Sequence, residues 1–553
     1  MDSPIKETPQ QTFQELPSAT PLPRKSAWKR AWDFTLLHIK HTGVGVVCAV
    51  AYFDPSVAFL FPRGNWSTNM QGGSEYGYKL LFIVLMSGIF AIYLQVLACR
   101  LGCVTGVDLA GHTRLLLYRR TNHPRLFRWL TLYPLYVVAE VAIIATDLAE
   151  LLGSAIALCL LFPKLQLWQG VLITASDVFL VLLLGDPLAK EPARLFEVFI
   201  GFMVIAILVC MGIVVGRVDI VWAKTFEGYL PSKQVFTSGG LYDAIGIIGA
   251  TVMPHSLFLG SALATQDRMK MRALDDDFTK NPNSTESSLD SPTRSKKMLA
   301  EMKTSIGNFF KTPPPSAHAT DVTRHSEREN NPYDFVRAHV YHGIADMTIS
   351  LLGFAVVINS LILILASAVF YYGQAGPGDG PASLFDAYDL IQSYVGKGAA
   401  TLFAIALLAS GQSASFIATI AGQAVAEGFV KWRVSAVVSR LLTRALAIIP
   451  SMVVAIAIGR DGIDALLVAS QVTLSVALPF VTFPLLYCTG SKEIMKCRKT
   501  VKDGEVLDTE NGEEWVDFSN GLFSKAVGWI IWLLILLANL YVLFEMMISS
   551  AQG

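Results

Sequence analysis

Residues 246–263 read "GIIGATVMPHSLFLGSAL", and this stretch decides the fold. It is long and apolar enough to cross a bilayer, yet Gly249, Pro254 and His255 sit in its middle. A plain spanning helix would carry Leu or Ile there. Proline removes one backbone hydrogen bond and frees a carbonyl. At bilayer depth a freed backbone group persists only where it lines a cavity or binds something. A second oddity of the same kind lies at 51–73, "AYFDPSVAFLFPRGNWSTNMQGG", where Asp54-Pro55 interrupts an otherwise apolar run.

The rest of the chain supports a membrane setting. Of its 553 residues 53% are hydrophobic and 16% charged, and a soluble protein of this length carries far more surface charge. Apolar stretches of about 20 residues recur, the length that spans a hydrocarbon core. We read eleven spans, near 36–62, 79–99, 131–155, 168–185, 195–216, 242–264, 343–371, 399–419, 436–458, 464–488 and 524–548. Basic residues crowd the connections on one side, among them Arg100, Arg114, Arg119, Arg120, Arg125, Arg128, Lys190 and Arg194. That bias puts the N-terminus in the cytosol. Net charge is zero, and no feature points to nucleic acid. The seven cysteines lie mostly inside apolar runs without metal-binding spacing and read as small core residues.

The expected organisation is all-α. A disordered cytosolic N-terminus covers 1–35, a first five-helix repeat 36–216 and a second 242–490. The second holds a disordered cytosolic loop at 266–338. A further cytosolic loop follows at 491–523, then an eleventh helix at 524–548. Ser/Thr beside Pro and basic residues in the long loop suits kinases or ubiquitin machinery; a simple spacer is the plainer alternative. If spans one to five and six to ten are repeats, the two interrupted helices occupy equivalent places. Such a pair is the sequence pointer to the central site of a LeuT-like inverted-repeat transporter. Two unrelated proline kinks are the bland alternative.

Three donors then converge. Asp54 offers a hard carboxylate, an intramembrane ionisable group that is functional by default. Met253 offers a soft thioether, and Ala250 a backbone carbonyl one turn earlier. A set of this kind suits a divalent transition metal better than Mg²⁺ or Ca²⁺, which take oxygen only. "TDLAE" places Asp147 and Glu150 three apart on one helix face, with Glu140 seven earlier and Arg444 as a counter-charge. A structural ion-pair network is the competing reading of those charges. Ser413 in "GQSAS" has no paired base, so nothing suggests an enzyme.

At these residues the chain resembles the Nramp family of proton-coupled divalent-metal transporters, in its fungal Smf-like form. "GATVMPHSLFLGS" looks like the family's sixth-helix motif. "LFAIALLASGQSASFIATIAGQAVAEGF" (402–429) is similar to its eighth-span signature, and 139–162, 170–184, 441–450 and 470–480 match too. The resemblance implies proton symport of Mn²⁺ or Fe²⁺, with tolerance for Co²⁺, Cd²⁺ or Zn²⁺, and no cofactor beyond these substrates. It implies metal ligation by Asp54, Asn65, Ala250 and Met253, joined by Gln471. Asp54, Glu140, Asp147, Glu150, His255 and Arg444 become proton-pathway candidates. Plasma, endosomal and vacuolar membranes all suit the family. A non-transporting sensor on the same fold is the alternative.

One departure stands out. The family's first motif is an uninterrupted Asp-Pro-Gly-Asn, whereas here "SVAFLFPR" (56–63) separates Asp54-Pro55 from Gly64-Asn65. Read as helix, those eight residues would carry Asn65 about 12 Å along the axis. Read as a loop, they would return it at a cost of a few kcal/mol or less. Retained intronic sequence is the third reading. Deleting 56–63 is expected to leave metal uptake intact or raised, as measured with radioactive Mn²⁺ in cells expressing either form. A fall in uptake would show that the segment itself contributes.

Overall fold

The computed structural model describes residues 27–53, 65–119, 123–176, 187–189, 192–269, 322–373, 384–432, 436–457, 460–499 and 514–552. Asp54, Gly64, the 56–63 segment, Asp177, most of the N-terminal region and loop residues 270–321 lie outside these, as do the side chains of Asn65 and Gln471.

The fold is an all-α polytopic bundle. Among the described residues eight helices are long and apolar enough to cross a membrane, from Thr68–Thr105 to Leu522–Tyr541. The other three expected spans are the first, fourth and ninth. Their described helices are Val44–Ala49, Leu167–Ala175 and Ala436–Ala457, the last two bordering residues outside the description. The third span, Tyr133–Leu161, packs most extensively against the eighth, Lys397–Val430. Small residues permit that approach: a Cβ on Gly411 would collide with the Ser154 hydroxyl. Large apolar side chains such as Phe202, Val198, Ile456 and Phe544 face outward, as a lipid-facing surface requires.

Both expected interruptions are present. The first span runs as a short helix into a tight turn, Val50–Tyr52, and stops at Phe53. A new helix, Asn65–Tyr76, follows. The sixth span is Ser238–Thr251 and then Pro254–Leu263, with Val252 and Met253 extended between them. A further break precedes these at Gly43, whose φ of 148° only glycine adopts readily. Asp346 accepts from the N–H groups of Gly43 (3.1 Å) and Gly45 (2.8 Å). Arg268 donates to the His41 carbonyl at 3.1 Å and pairs with Glu197, which also pairs with Arg194 at 2.9 Å. Burying these charges is tolerable because each meets an opposite partner or a backbone dipole.

Two regions differ from expectation. The seventh-span helix begins at Tyr333, inside the stretch read as loop, and carries two wide π turns, Leu351–Val356 and Ser367–Tyr371. A small antiparallel hairpin, Lys496–Lys499 with Glu514–Asp517, lies in the 491–523 connection. Residues 322–332 run as a strap between this hairpin and the end of the second span. Asn331 bonds the Val104 carbonyl through its N–H (3.1 Å) and that of Cys103 through its side chain (2.8 Å). Asn330 donates to the carbonyls of Ile494 and Lys496 at 2.7 and 2.8 Å.

The strap also stacks His325 on His112, nitrogen to nitrogen at 2.9 Å. The Thr105 hydroxyl donates to the Leu101 carbonyl, so it accepts from Nε2–H of His112 at 2.8 Å. Nδ1 of His112 therefore accepts from Nε2–H of His325, an arrangement that requires His112 to be neutral. Burial, then the neighbouring His325 and Arg328, holds His112 well below its usual range; burial and then Arg328 hold His325 at about 4. The unfolded imidazoles take protons near 6.5, the folded pair does not. The strap's stability is thus complete above that value and declines as pH falls toward 4. Hydrogen exchange at amides 325–331, corrected for intrinsic rates, is expected to speed up between about pH 6.5 and 4, and His325→Gln to flatten that dependence.

Candidate metal and proton site

Two carbonyls that the end of the first-span helix would leave orphaned near the centre of the bundle are capped by side chains from elsewhere. The Tyr52 carbonyl accepts from the Asn359 amide at 2.6 Å. The Phe53 carbonyl accepts from the Trp66 indole at 3.1 Å and the Ser410 hydroxyl at 2.5 Å. Asn69 donates to Asn359 at 2.9 Å, closing the set. These caps bring the helix Asn65–Tyr76 and the seventh and eighth spans onto the first-span break, immediately before Asp54.

The Trp66–Phe53 bond also answers the question raised by the insertion. A continuous helix would separate those residues by about 20 Å at 1.5 Å per residue. They touch instead, so the chain on either side of 54–64 returns to one place. Asn65 is the first residue of the returning helix.

The sixth-span break lies against the same point. The Ser256 hydroxyl is 2.8 Å from the Met253 carbonyl and 3.0 Å from the Tyr52 hydroxyl, which donates to Gln95 at 3.0 Å. Gln95 in turn donates to the Ser256 carbonyl at 3.1 Å. Gln95, which reads in sequence as packing, ties the two breaks together. Gly260 leaves room for its amide, because a Cβ there would overlap it. Met253 is fully buried and Ala250 nearly so. The residue four after Ala250 is Pro254, which has no N–H, so the helix cannot supply the Ala250 carbonyl with its ordinary partner. A thioether and a released carbonyl thus lie three residues apart across the break, beside the end of the first-span helix.

The candidate proton groups form a second layer on the third span. Asp147 is ion-paired with Arg444 of the ninth span and accepts from Ser415 of the eighth at 3.3 Å. Both partners are buried, as is Glu150 one turn on. Glu140, two turns earlier, keeps one carboxylate oxygen buried without a hydrogen-bond partner among the described residues. His255 opens the second half of the sixth span. Its Nδ1 lies 3.4 Å from the Thr146 hydroxyl, whose own proton goes to the Ala142 carbonyl. Nδ1 is therefore the protonated nitrogen, and Nε2 is buried with no partner among the described residues. His255 meets the third span one residue before Asp147.

Sequence reasoning missed Tyr52, Asn359, Trp66, Ser410 and Ser256. Each is an ordinary polar or aromatic residue locally, and only the helix break it serves, far away in the chain, gives it a role.

Comparison with known proteins places the chain as a whole. A family model described as natural resistance-associated macrophage protein-like matches residues 45–303 and 316–502. The manganese transporter pdt1 of Schizosaccharomyces pombe is 39% identical across 93% of this chain and 86% of its own. The iron transporter SMF3 of Saccharomyces cerevisiae is 35% identical across 92% and 97%. A crystal structure of the Eremococcus coleocola manganese transporter, bound to an aromatic bis-isothiourea compound, superposes with a TM-score of 0.66. It is 30% identical over 96% of this chain and 90% of that one.

The buried Asp147–Arg444 pair makes a stability test available. Removing one partner of such a pair leaves an uncompensated charge and costs roughly 3–5 kcal/mol. Arg444→Ala is expected to lose about that much in denaturant unfolding of the detergent-solubilised protein, and Asp147→Asn combined with Arg444→Ala to recover most of it.

Proposed function

This chain belongs to the Nramp family, and from that premise we propose that it moves Mn²⁺ and Fe²⁺ across a membrane by proton symport. The carrying observation is the meeting of two broken helices through Tyr52 and Ser256 beside a fully buried Met253. A divalent metal is cargo here, and the chain is a transporter, with no enzymatic step assigned to it. Relatives named as manganese and iron transporters support that choice of ions.

In this reading Asp54, Asn65, the Ala250 carbonyl and Met253 hold the ion, and Gln471 joins them in one conformation. Met253 sets selectivity, since a thioether favours borderline transition metals over Mg²⁺ and Ca²⁺. Entry of the cation favours ionised Asp54 and so releases its proton. Glu140, Asp147, Glu150, His255 and Arg444 then carry protons toward the N-terminal side of the membrane. Basic residues on the connections support a cytosolic N-terminus, in a plasma, endosomal or vacuolar membrane. Cytosolic-loop modification by kinases or ubiquitin machinery would act on residues beyond this site.

Proteoliposomes test the proposal. Mn²⁺ uptake is expected to rise as the outer pH is lowered. Met253→Ala is expected to lose Mn²⁺ uptake and gain Ca²⁺ entry, read with fluorescent indicators inside the vesicles. Uptake indifferent to pH would sink the symport, and unchanged selectivity the role of the thioether.

A further inference from the structure

The turn between the second and third spans holds an arrangement that metal transport does not use. Two guanidiniums lie on one aromatic ring: Arg114 at 4.5 Å and Arg128 at 3.9 Å from the centre of Tyr118. Arg128 is held there by a 2.8 Å bond from its Nε–H to the Tyr118 carbonyl. Arg114 comes from the helix Leu109–Leu117; its side chain hydrogen-bonds that of Tyr118, while its Nη1 is buried with no hydrogen-bond partner among the described residues. Arg119 and Arg125 stand exposed close by in the chain. Among the described residues no acidic side chain pairs with any of these four arginines.

Two like charges sharing one ring repel, and cation–π attraction of about 0.5–2 kcal/mol each offsets that only in part. Burial comes first among the influences that lower the Arg114 pKa, and the charge of Arg128 adds to it. A buried, unpaired N–H is expensive, so the pair is built to receive an anion. Beside it, the short helix Pro124–Phe127 and the wide turn Arg128–Leu132 present Leu126, Trp129 and Leu130 outward, 54%, 73% and 68% exposed. Trp129 packs edge-on against Tyr133 at 5.1 Å. Exposed tryptophan and leucine at the start of a spanning helix belong at the membrane interface. The anion's place is therefore at headgroup level, with acyl chains alongside.

We propose that Arg114, Arg128 and Tyr118 form a binding site for the phosphate of an anionic phospholipid, whose acyl chains cover Leu126, Trp129 and Leu130. The guanidinium forks match phosphate oxygens two at a time, which an ammonium cannot do. The acyl contacts separate this ligand from free phosphate. Anionic lipid is concentrated in cytoplasmic leaflets, the side on which the orientation proposed above places this turn.

The test uses the whole chain in detergent, with phosphatidic acid or phosphatidylcholine added, and lipid retention read by native mass spectrometry. Wild type is expected to retain phosphatidic acid in preference to phosphatidylcholine. Arg114→Gln with Arg128→Gln is expected to weaken that retention on the order of tenfold or more, while the lipid-free thermal midpoint stays at the wild-type value. Arg114→Lys, which keeps the charge and loses the fork, is expected to fall between and serves if the double variant does not fold. Equal retention in wild type and Arg114→Lys as well as the double variant would overturn the site. So would displacement of the lipid by inorganic phosphate at matching concentration, which would identify a simple anion pocket.

Discussion

A backbone carbonyl deprived of its helical partner, far from water, must find another donor, and the centre of this molecule is arranged around that requirement. Breaking the first helix exposes the carbonyls of Tyr52 and Phe53. Asn359, Trp66 and Ser410 answer them from three other helices. Breaking the sixth releases the Ala250 carbonyl, for which Pro254 cannot donate. Interhelical packing in lipid has little hydrophobic drive behind it, so these polar caps and the small residues that admit them specify which helices meet.

Charge follows the same logic in a separate layer. Asp147 and Arg444 neutralise each other on the third and ninth spans, one residue from where His255 meets the third span, with Ser415 as a further donor. At the N-terminal end of the first span, Glu197, Arg268, Arg194 and Asp346 gather on the Gly43 bend, binding its N–H groups and the carbonyls of His41 and Thr42. In the function proposed above, one layer holds the cation and another holds or passes protons, while the last fixes the end of a helix. Keeping them apart lets each be tuned by its own neighbours.

Much of this was legible beforehand. Hydropathy located the spans, and Pro254 and Asp54-Pro55 marked the two breaks because a proline in mid-span forfeits a helical hydrogen bond where no water can replace it. Met253 and Ala250 followed from their place beside Pro254. What escaped was everything whose role depends on a distant partner. Asn359 sits in an apolar run and carries no local sign that it caps Tyr52. Gln95 looked like packing until Ser256 and Tyr52 stood beside it. The strap at 322–332 was hidden by composition: "SERENNPYDF" (326–335) is polar enough to read as loop, and its order comes from bonds to Val104, Cys103 and Ile494 rather than from burying apolar surface. The hairpin of four-residue strands was too short for alternation to register.

The contact between Trp66 and Phe53 carries a consequence for how such a protein can vary. Where both shores of a gap are moored by other helices, the length of chain ferried between them is almost free: doubling a flexible loop costs only about 0.6 kcal/mol. An epitope or reporter placed within 56–63, leaving Asp54-Pro55 and Gly64-Asn65 as they stand, would therefore keep the Trp66–Phe53 mooring on both banks. Evolution and the engineer would find the same tolerance there, and for the same reason.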